Sequence, residues 1–373
     1  MSQTTPIADA AVSETPLAAR LAGEQPVLEL KMHGGAQTAL RFAGIHEELR
    51  ALMGTAGAFD CGYRTFLRAA GKDRVRWLNG MITQNVKGMS PGESGYTLVL
   101  NPQGRIQGDA DLFVHEDALF LETDRSQSER LLTHLRRYII MDDVQLEQLD
   151  AENTAMGIAG PQAGEILAKL GAPAPQPGTF RTAQVAGIDV SVIGSYSPVV
   201  PRYELHVPAD RALDVWNALI AAAATPCGIE ALERLRVLEG VPRFDVDFSD
   251  KHLPQEANLF RALHFAKGCY IGQEIVERIR ARATVHRSVR QFALEGETPQ
   301  PVERETIELR SGGAPVGELT SVAAFDLPGQ KKTVALGMVR VEALEKSEAG
   351  TEPLTYCGGV AVPLPETPQV ANL

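Results

Sequence analysis

The residue that points most directly to chemistry is Cys269, in the stretch FAKGCYIGQEIVERIR. It follows Lys267 by two positions, and Gly268 and Gly272 beside it permit tight turns and close approach of another group. Residues 273–280 predict a helix that begins just after the cysteine. A helix N-terminus and a nearby ammonium both favour thiolate over thiol, so the pattern indicates a reactive or ligand-binding sulfur. The alternative is a small buried residue in a tight loop.

Arginines are concentrated directly after this cysteine, in a chain that is otherwise acidic. The cluster contains Arg278, Arg280, Arg282, Arg287 and Arg290, with His286 among them. Such a cluster suits bidentate hydrogen bonds to carboxylates or phosphates. It suits equally a solvated helix face paired with Glu274 and Glu277, with Glu274 and Arg278 at i,i+4 spacing. The residues alone leave both interpretations open.

A third candidate is Asp109 in LNPQGRIQGDADLF, where Gly104 and Gly108 flank a predicted bend. A carboxylate that opens a strand beside glycine can point into a cavity without a bulky neighbour, and the alternative is a turn cap. The Pro- and Asp-rich segment 238–259 is too irregular for a helix or strand. Long irregular segments inside compact domains are often functional.

Composition bounds the class of protein. The chain has 373 residues, 44% of them hydrophobic, and a net charge of -11, which predicts a globular protein of two or three domains without a broad nucleic-acid surface. Its four cysteines, at 61, 227, 269 and 357, form no Cys-x-x-Cys pair, so neither a disulfide framework nor a zinc site is indicated. No signal peptide and no apolar run of about 18 residues is present. We therefore expect a cytoplasmic protein that does not enter a membrane.

The pattern of elements alternates strands and helices and then changes. Residues 109–114 and 118–122 predict a hairpin. A helix follows, with Asp124 as its N-cap and one apolar face formed by Leu131, Leu132, Leu135 and Ile139. The stretch YELHVPADRALDVWNALI repeats this strand and helix order, which suggests a duplicated α+β half. From about residue 285 the pattern is wholly strand-like and predicts a small β-barrel domain.

These residues resemble a known family. KGCYIGQE, Lys267 to Glu274, is similar to the signature of the YgfZ family of folate-binding proteins, relatives of the glycine-cleavage aminomethyltransferase GcvT. NPQGRIQGDADLF resembles the strand whose acidic residue lies beside the reactive folate nitrogens, here Asp109. RYELHV resembles the segment whose glutamate holds the pterin, here Glu204. The irregular segment matches further family elements at Gly240, Pro242, Arg243, Asp247, Pro254 and Glu256.

The resemblance covers about residues 35–365 and implies a fold. It is of the α+β class, a three-subdomain GcvT-like folate-binding ring with ferredoxin-like subdomains and a small C-terminal β-barrel. The corresponding division is a flexible N-terminus at 1–30, the folate-binding region at 31–284, the barrel at 285–365 and a tail at 366–373.

The resemblance also implies site residues. Cys269 and Asp109 are the catalytic candidates. Tetrahydrofolate or a one-carbon derivative is the expected cofactor, bound by Asp109, Glu204 and Arg243. The anionic folate tail needs a basic exit, and on this ground, separate from the resemblance, we assign it to Arg278, Arg282 and Arg287, with pairing on a solvated face as the alternative. The remaining motif positions are Lys267, Gly268, Tyr270, Gly272, Gln273 and Glu274. No stable metal site is expected, with Cys269 a transient iron ligand.

The implied function is assembly or repair of iron–sulfur clusters on client enzymes, including support of tRNA modification. The expected partners are folate and iron–sulfur client proteins or assembly factors. The protein is expected to be a monomer. Two departures from the aminomethyltransferases make methylene transfer the second hypothesis: Arg105 replaces a glycine before the acidic strand, and GSYSPVVPRYE lacks their Gly-Tyr-Thr-Gly-Glu stretch. A third hypothesis is a folate-binding regulatory module in which Cys269 is structural. Whether the protein is an enzyme is left open.

Overall fold

The computed structural model describes residues 13–24, 29–149, 152–282, 285–299, 306–327 and 330–368. The α-helices in these residues are α1 (Pro16–Glu24), α2 (Ile45–Gly54), α3 (Arg74–Met81), α4 (Arg125–Arg136), α5 (Ala163–Lys169), α6 (Ala212–Ala221), α7 (Ile229–Leu238), α8 (Gln273–Arg282) and α9 (Val341–Glu348). None of them combines the length and apolarity needed to cross a bilayer.

The strands are β1 (Leu30–His33), β2 (Ala36–Ala39), β3 (Gly57–Asp60), β4 (Arg64–Ala70), β5 (Ser94–Leu100), β6 (Ile106–Val114), β7 (Ala118–Asp124), β8 (Gln145–Leu149), β9 (Asn153–Ala159), β10 (Phe180–Val185), β11 (Ile188–Ser195), β12 (Arg202–Pro208), β13 (Thr225–Pro226), β14 (Arg287–Gly296), β15 (Ile307–Ser311), β16 (Ala314–Leu327), β17 (Gln330–Arg340), β18 (Leu354–Tyr356) and β19 (Gly359–Pro363).

Two sheets form the body of the protein. Their strand orders are β5-β6-β7-β4-β8 and β10-β11-β12-β9-β3-β13. Helices α3 and α4 pack on the first sheet, where Leu112 of β6 is buried with Leu131 of α4. Helices α5 and α6 pack on the second, where Leu205 of β12 is buried with Trp216 of α6. Because side chains alternate along a strand, Asp109 and Asp111 of β6 and Glu204 of β12 point away from these two cores.

The C-terminal region closes into a barrel of strand order β14-β17-β16-β15-β18-β19. This confirms the predicted β-barrel. The expectation that the region is wholly strand-like is wrong, because α9 lies between β17 and β18 and buries Ala343 and Leu344 in the barrel core.

Most local predictions around β6 are confirmed, with two differences. The hairpin and the helices at α4 and α8 are present. However, β6 begins at Ile106, so Asp109 lies inside the strand and does not open it. Asp124 occupies the N-cap position of α4 but makes no capping hydrogen bond. Its carboxylate instead pairs with Arg243, which lies far away in sequence.

The beginning of the chain differs from the flexible segment predicted at 1–30. In α1, Leu17 and Leu21 are buried, and the hydroxyl of Thr15 donates to the buried carboxylate of Asp60. Residues 1–12 and 25–28 lie outside the described residues, as do residues 369–373 of the predicted tail. The other predicted domain boundaries stay predictions.

Candidate functional site

A cavity of about 240 Å³ lies between the two sheets. Strand β6 contributes Asp109 and Asp111, strand β12 contributes Glu204, and the irregular segment after α7 contributes Arg243. Asp109, Glu204 and Arg243, which the sequence assigned to folate binding, therefore lie on one cavity although they come from three distant parts of the chain.

Asp109 is held between two polar side chains. The Tyr96 hydroxyl donates to its Oδ2 at 2.7 Å, and the Gln127 amide donates to its Oδ1 at 2.8 Å. Gln127 reaches Asp109 because Gly108 brings β6 against α4: a Cβ at Gly108 would lie 2.7 Å from Leu131 Cδ2. Burial raises the pKa of Asp109, and the hydrogen bond from Tyr96 opposes this effect. The carboxyl is fixed in orientation by these two side chains.

Glu204 shares the guanidinium of Arg64 with two other carboxylates. Arg64 lies 2.6 Å from Asp111, 3.3 Å from Glu204 and 3.6 Å from Glu122. Arg202 donates to the other Glu204 oxygen at 3.2 Å. Burial, assisted by the charge of Glu122, raises the pKa of Glu204 even though Arg64 acts to lower it. Glu204 is thus a buried acceptor fixed on both oxygens by arginines.

The carboxylates of Glu122 and Glu204 also lie near His206, and their ligand atoms fall within 4.8 Å of one another. Three such groups can hold a divalent cation. Here the guanidinium of Arg64 already supplies the positive charge between the two carboxylates. His206 Nε2 lies 3.2 Å from Glu122 Oε2. Arg64, Glu122 and Glu204 thus form an ion-pair network, of which Arg64 and Glu204 line the cavity.

Arg243 connects the cavity to a histidine that the sequence did not predict. It pairs with Asp124 at 3.0 Å and donates from Nη1 to His33 Nδ1 at 3.0 Å. Because an arginine only donates, Nδ1 of His33 is an acceptor and its ring is neutral. Burial lowers the pKa of His33 to about 4, against the raising effect of Glu233.

The irregular segment is fixed to the barrel through Asp247. Its Oδ2 accepts from Arg236 at 2.7 Å and from the backbone N–H of Arg243 at 2.9 Å. Its Oδ1 accepts from Thr320 at 2.5 Å and Ser321 at 2.7 Å, both on β16. One buried carboxylate therefore joins α7, the Arg243 turn and the barrel, which positions Arg243 in the cavity wall.

The mouth of the cavity carries a second set of residues that the sequence did not indicate. Arg261 lies between two aromatic rings, with its guanidinium carbon 3.7 Å from the centroid of Tyr96 and 4.6 Å from that of Tyr196. All three line the cavity. Arg261 stands eight residues before Cys269 in a short helical turn, Phe260–Ala262. No local pattern distinguishes it from any exposed arginine.

The motif around Cys269 is anchored by its neighbours. The Lys267 ammonium donates to the carbonyls of Asn79, Ile82 and Gln84 at 2.5 to 2.7 Å, at the C-terminal end of α3. Its charge is engaged there, which corrects the expectation that it supports a thiolate at Cys269. Burial lowers the pKa of this ammonium to about 7.

Two further positions of the motif hold it against the body. Tyr270 is buried with Phe244, a cavity-lining residue. Gly272 has φ +83 and packs on the turn before β6: a Cβ there would lie 2.7 Å from the carbonyl oxygen of Asn101 and 3.1 Å from Gly104. The motif thus contacts the turn that leads into the strand of Asp109.

Cys269 itself is exposed, as is Gly268, so the interpretation of Cys269 as a buried residue is wrong. It is not among the residues that line the cavity. Helix α8 begins at Gln273, as predicted, and its Glu274 is exposed. Cys269 is therefore exposed on a loop that the contacts of its neighbours anchor to the body.

Among the cluster arginines whose side chains the structure describes, Arg278, Arg280, Arg287 and Arg290, none lines the cavity. Arg287 pairs with Glu256 at 3.0 Å, and Arg280 pairs with Glu277 at 3.4 Å. Arg278 is exposed on α8, and within the described part of that helix it forms no ion pair with Glu274. Arg282 ends α8, and its side chain lies outside the described residues. The pair of Arg280 with Glu277 matches the solvated-face interpretation, whereas Arg287 begins β14 and pairs with Glu256 of the irregular segment.

The fold defines a class of protein. The structure of the glycine cleavage system aminomethyltransferase T from Bartonella henselae shares it, with a TM-score of 0.81, 20% identity, and coverage of 97% of this chain and 99% of that chain. This confirms the predicted GcvT-like α+β fold with its C-terminal barrel.

The sequence comparisons define the family. The model of the GCVT N-terminal domain matches residues 27–267, and the chain belongs to this family. An aminomethyltransferase of Nostoc sp. is 24% identical over 310 residues, which cover 78% of this chain and 79% of the relative. An aminomethyltransferase of Geobacillus kaustophilus is 26% identical over 319 residues, with coverage of 83% and 86%.

Proposed function

We propose that the cavity binds tetrahydrofolate or a one-carbon derivative, with the pterin ring against Glu204. The observation that carries this proposal is the convergence of Asp109, Glu204 and Arg243 on one cavity. A pterin presents a guanidine-like edge of N–H donors beside a carbonyl acceptor, and a buried carboxylate suits that edge.

Two features of the cavity support the fit. Each Glu204 oxygen accepts from one arginine and keeps capacity for a second donor. Arg202 Nε is buried without a hydrogen-bond partner, although Arg202 lines the cavity. A pterin carbonyl would satisfy this donor, because a buried N–H left unpaired is costly. Asp109, oriented by Tyr96 and Gln127, would orient or polarise the folate-bound centre.

Within the family, we propose that the chain acts as a YgfZ-type protein in assembly or repair of iron–sulfur clusters on client proteins. Soft thiolates suit iron–sulfur species, and Cys269 is exposed on an anchored loop. One cysteine cannot hold a cluster alone, so a client or assembly factor must supply further ligands. Cys269 is exposed and does not line the cavity, which supports transfer of an iron–sulfur cluster between its sulfur and such a partner.

The second candidate is folate-dependent aminomethyl transfer. It is favoured by the names of the relatives and by the position of Asp109 on the cavity. It requires no role for Cys269. Turnover of glycine in a reconstituted cleavage assay with the lipoylated carrier protein would favour this candidate over the cluster role.

The test of ligand binding is an anaerobic calorimetric titration with tetrahydrofolate. We expect binding by the wild type and by Cys269→Ser, and loss of binding in Glu204→Ala. Glu204→Gln, which keeps the size but removes the charge, separates lost packing from lost pairing. Absence of wild-type binding would contradict the folate proposal.

The test of the thiol is complementation of a deletion strain, with the activities of iron–sulfur enzymes as the readout. Cys269→Ser is expected to fail. Cys357→Ser is a matched control, since Cys357 is also exposed. Full support of these enzymes by Cys269→Ser would contradict the thiol role, and with retained folate binding it would favour a regulatory module.

A further inference from the structure

The arginines that line the cavity differ in whether their charge is already paired. Four of them have carboxylate partners within 4.0 Å: Arg64, Arg202, Arg236 and Arg243. Arg261 lines the same cavity, and no carboxylate of the described residues lies within that distance of it. Its charge is therefore available to an anionic group that enters the mouth.

The guanidinium of Arg261 is also held in place. It lies 3.7 Å from the ring centroid of Tyr96 and 4.6 Å from that of Tyr196. Stacking covers the faces of the planar group and leaves its N–H donors in the plane, where a carboxylate binds bidentately. An arginine that is fixed before binding loses less conformational freedom when the ligand arrives.

The position of Arg261 relative to Asp109 indicates which chemical groups a ligand spanning the two must carry. Tyr96 contacts Arg261 with its ring and Asp109 with its hydroxyl, so one side chain separates the two. Tyr196 is 54% exposed and presents an aromatic face at the mouth. A ligand that reaches from Asp109 to Arg261 thus passes an aromatic wall and ends at a cation.

We propose that Arg261 binds the tail carboxylate of the ligand at the outer end of the cavity. This inference rests on the proposed function. It moves the tail contact from the cluster at Arg278, Arg282 and Arg287 to the cavity mouth. The aryl linker stacks on Tyr196, and the tail carboxylate pairs with the Arg261 guanidinium.

The experiment compares two ligands that share the ring and differ in the tail. Tetrahydrofolate and 6-methyltetrahydropterin, which lacks the aryl and glutamyl groups, are titrated anaerobically into the wild type, Arg261→Gln and Arg261→Lys. Arg278→Gln is the matched control, because Arg278 is an exposed arginine of the cluster. Thermal melting of each variant checks that it is folded.

We expect Arg261→Gln to weaken tetrahydrofolate binding about tenfold, the effect of one lost charge-assisted contact, and to leave 6-methyltetrahydropterin unchanged. Arg261→Lys keeps the charge and is expected to lose less. Added salt should weaken tetrahydrofolate binding more in the wild type than in Arg261→Gln.

Three results would overturn the inference in distinguishable ways. Equal losses for both ligands, or no loss, would show that Arg261 does not contact the tail. A comparable tail-specific loss in Arg278→Gln would return the contact to the cluster. Failure of the wild type to bind either ligand would overturn the proposed function together with this inference.

Discussion

Replacement of Gly272 by alanine tests whether the cysteine motif is packed rigidly on the turn before β6. Gly272 has φ +83, and an added Cβ would lie 2.7 Å from the backbone oxygen of Asn101 and 3.1 Å from Cβ of Leu100. The neighbours that must move are backbone atoms and a core side chain. Gly268 in the same motif has open space for a Cβ and is the matched control.

The expected cost has two parts. A left-handed backbone costs a non-glycine residue about 1 kcal/mol. Overpacking against backbone adds about 1–3 kcal/mol. We therefore expect Gly272→Ala to lower the free energy of unfolding by about 2–4 kcal/mol, and Gly268→Ala to change it by no more than about 0.5 kcal/mol.

The assay is urea unfolding followed by tryptophan fluorescence. One of the two tryptophans, Trp77, lies on α3, whose C-terminal end contacts Lys267 of the motif. The unfolding transition reported by Trp77 is expected to move to a lower urea concentration in Gly272→Ala and to stay unchanged in Gly268→Ala. Coincident curves for Gly272→Ala and Gly268→Ala would refute the close packing of the motif on the β6 turn.

Two further predictions concern buried basic side chains, the neutral His33 and the ammonium of Lys267. Because the folded-state pKa of His33 is about 4 and its ordinary value is 6.5, the unfolded chain binds the proton first as pH falls. The stability from neutral His33 is complete above pH 6.5 and is lost towards pH 4, by about 2 kcal/mol at pH 5. An NMR titration of the folded protein should show the low pKa of His33. The stability of His33→Gln should fall less than that of the wild type as the pH is lowered. Titration of His33 near 6.5 in the folded protein would contradict the prediction. Lys267→Met should lower the free energy of unfolding by about 2–4 kcal/mol, since three carbonyls lose their donor. Lys251→Met is the control, because Lys251 is exposed, and it should not lower the free energy of unfolding. Equal melting temperatures for the two variants would contradict the anchoring role of Lys267.

Local patterns predicted local structure well. The alternation in the β6–β7 hairpin, the apolar face of α4 and the strand runs of the barrel each depend on neighbouring residues, and all are present. α9 was missed because the strand-rich pattern around it was extended over Val341–Glu348. Asp124 looked like a helix cap because its partner, Arg243, is over a hundred residues away.

The site residues that stand in a recognisable sequence motif were predicted, and those outside such motifs were missed. Asp109, Glu204 and Arg243 stand in recognisable stretches, and the structure brings them together. Arg64 and Arg261 stand in stretches with no such mark, because their roles come from partners on other elements. The same limit applies to Lys267, whose carbonyl partners precede it by more than 180 residues.

Tyr96 couples two groups of the cavity wall. Its hydroxyl donates to Asp109 at 2.7 Å, and its ring face lies 3.7 Å from the guanidinium carbon of Arg261. A movement of this one side chain would therefore remove a support from the carboxylate and from the guanidinium together. The two groups are mechanically linked, so a change at one is transmitted to the other.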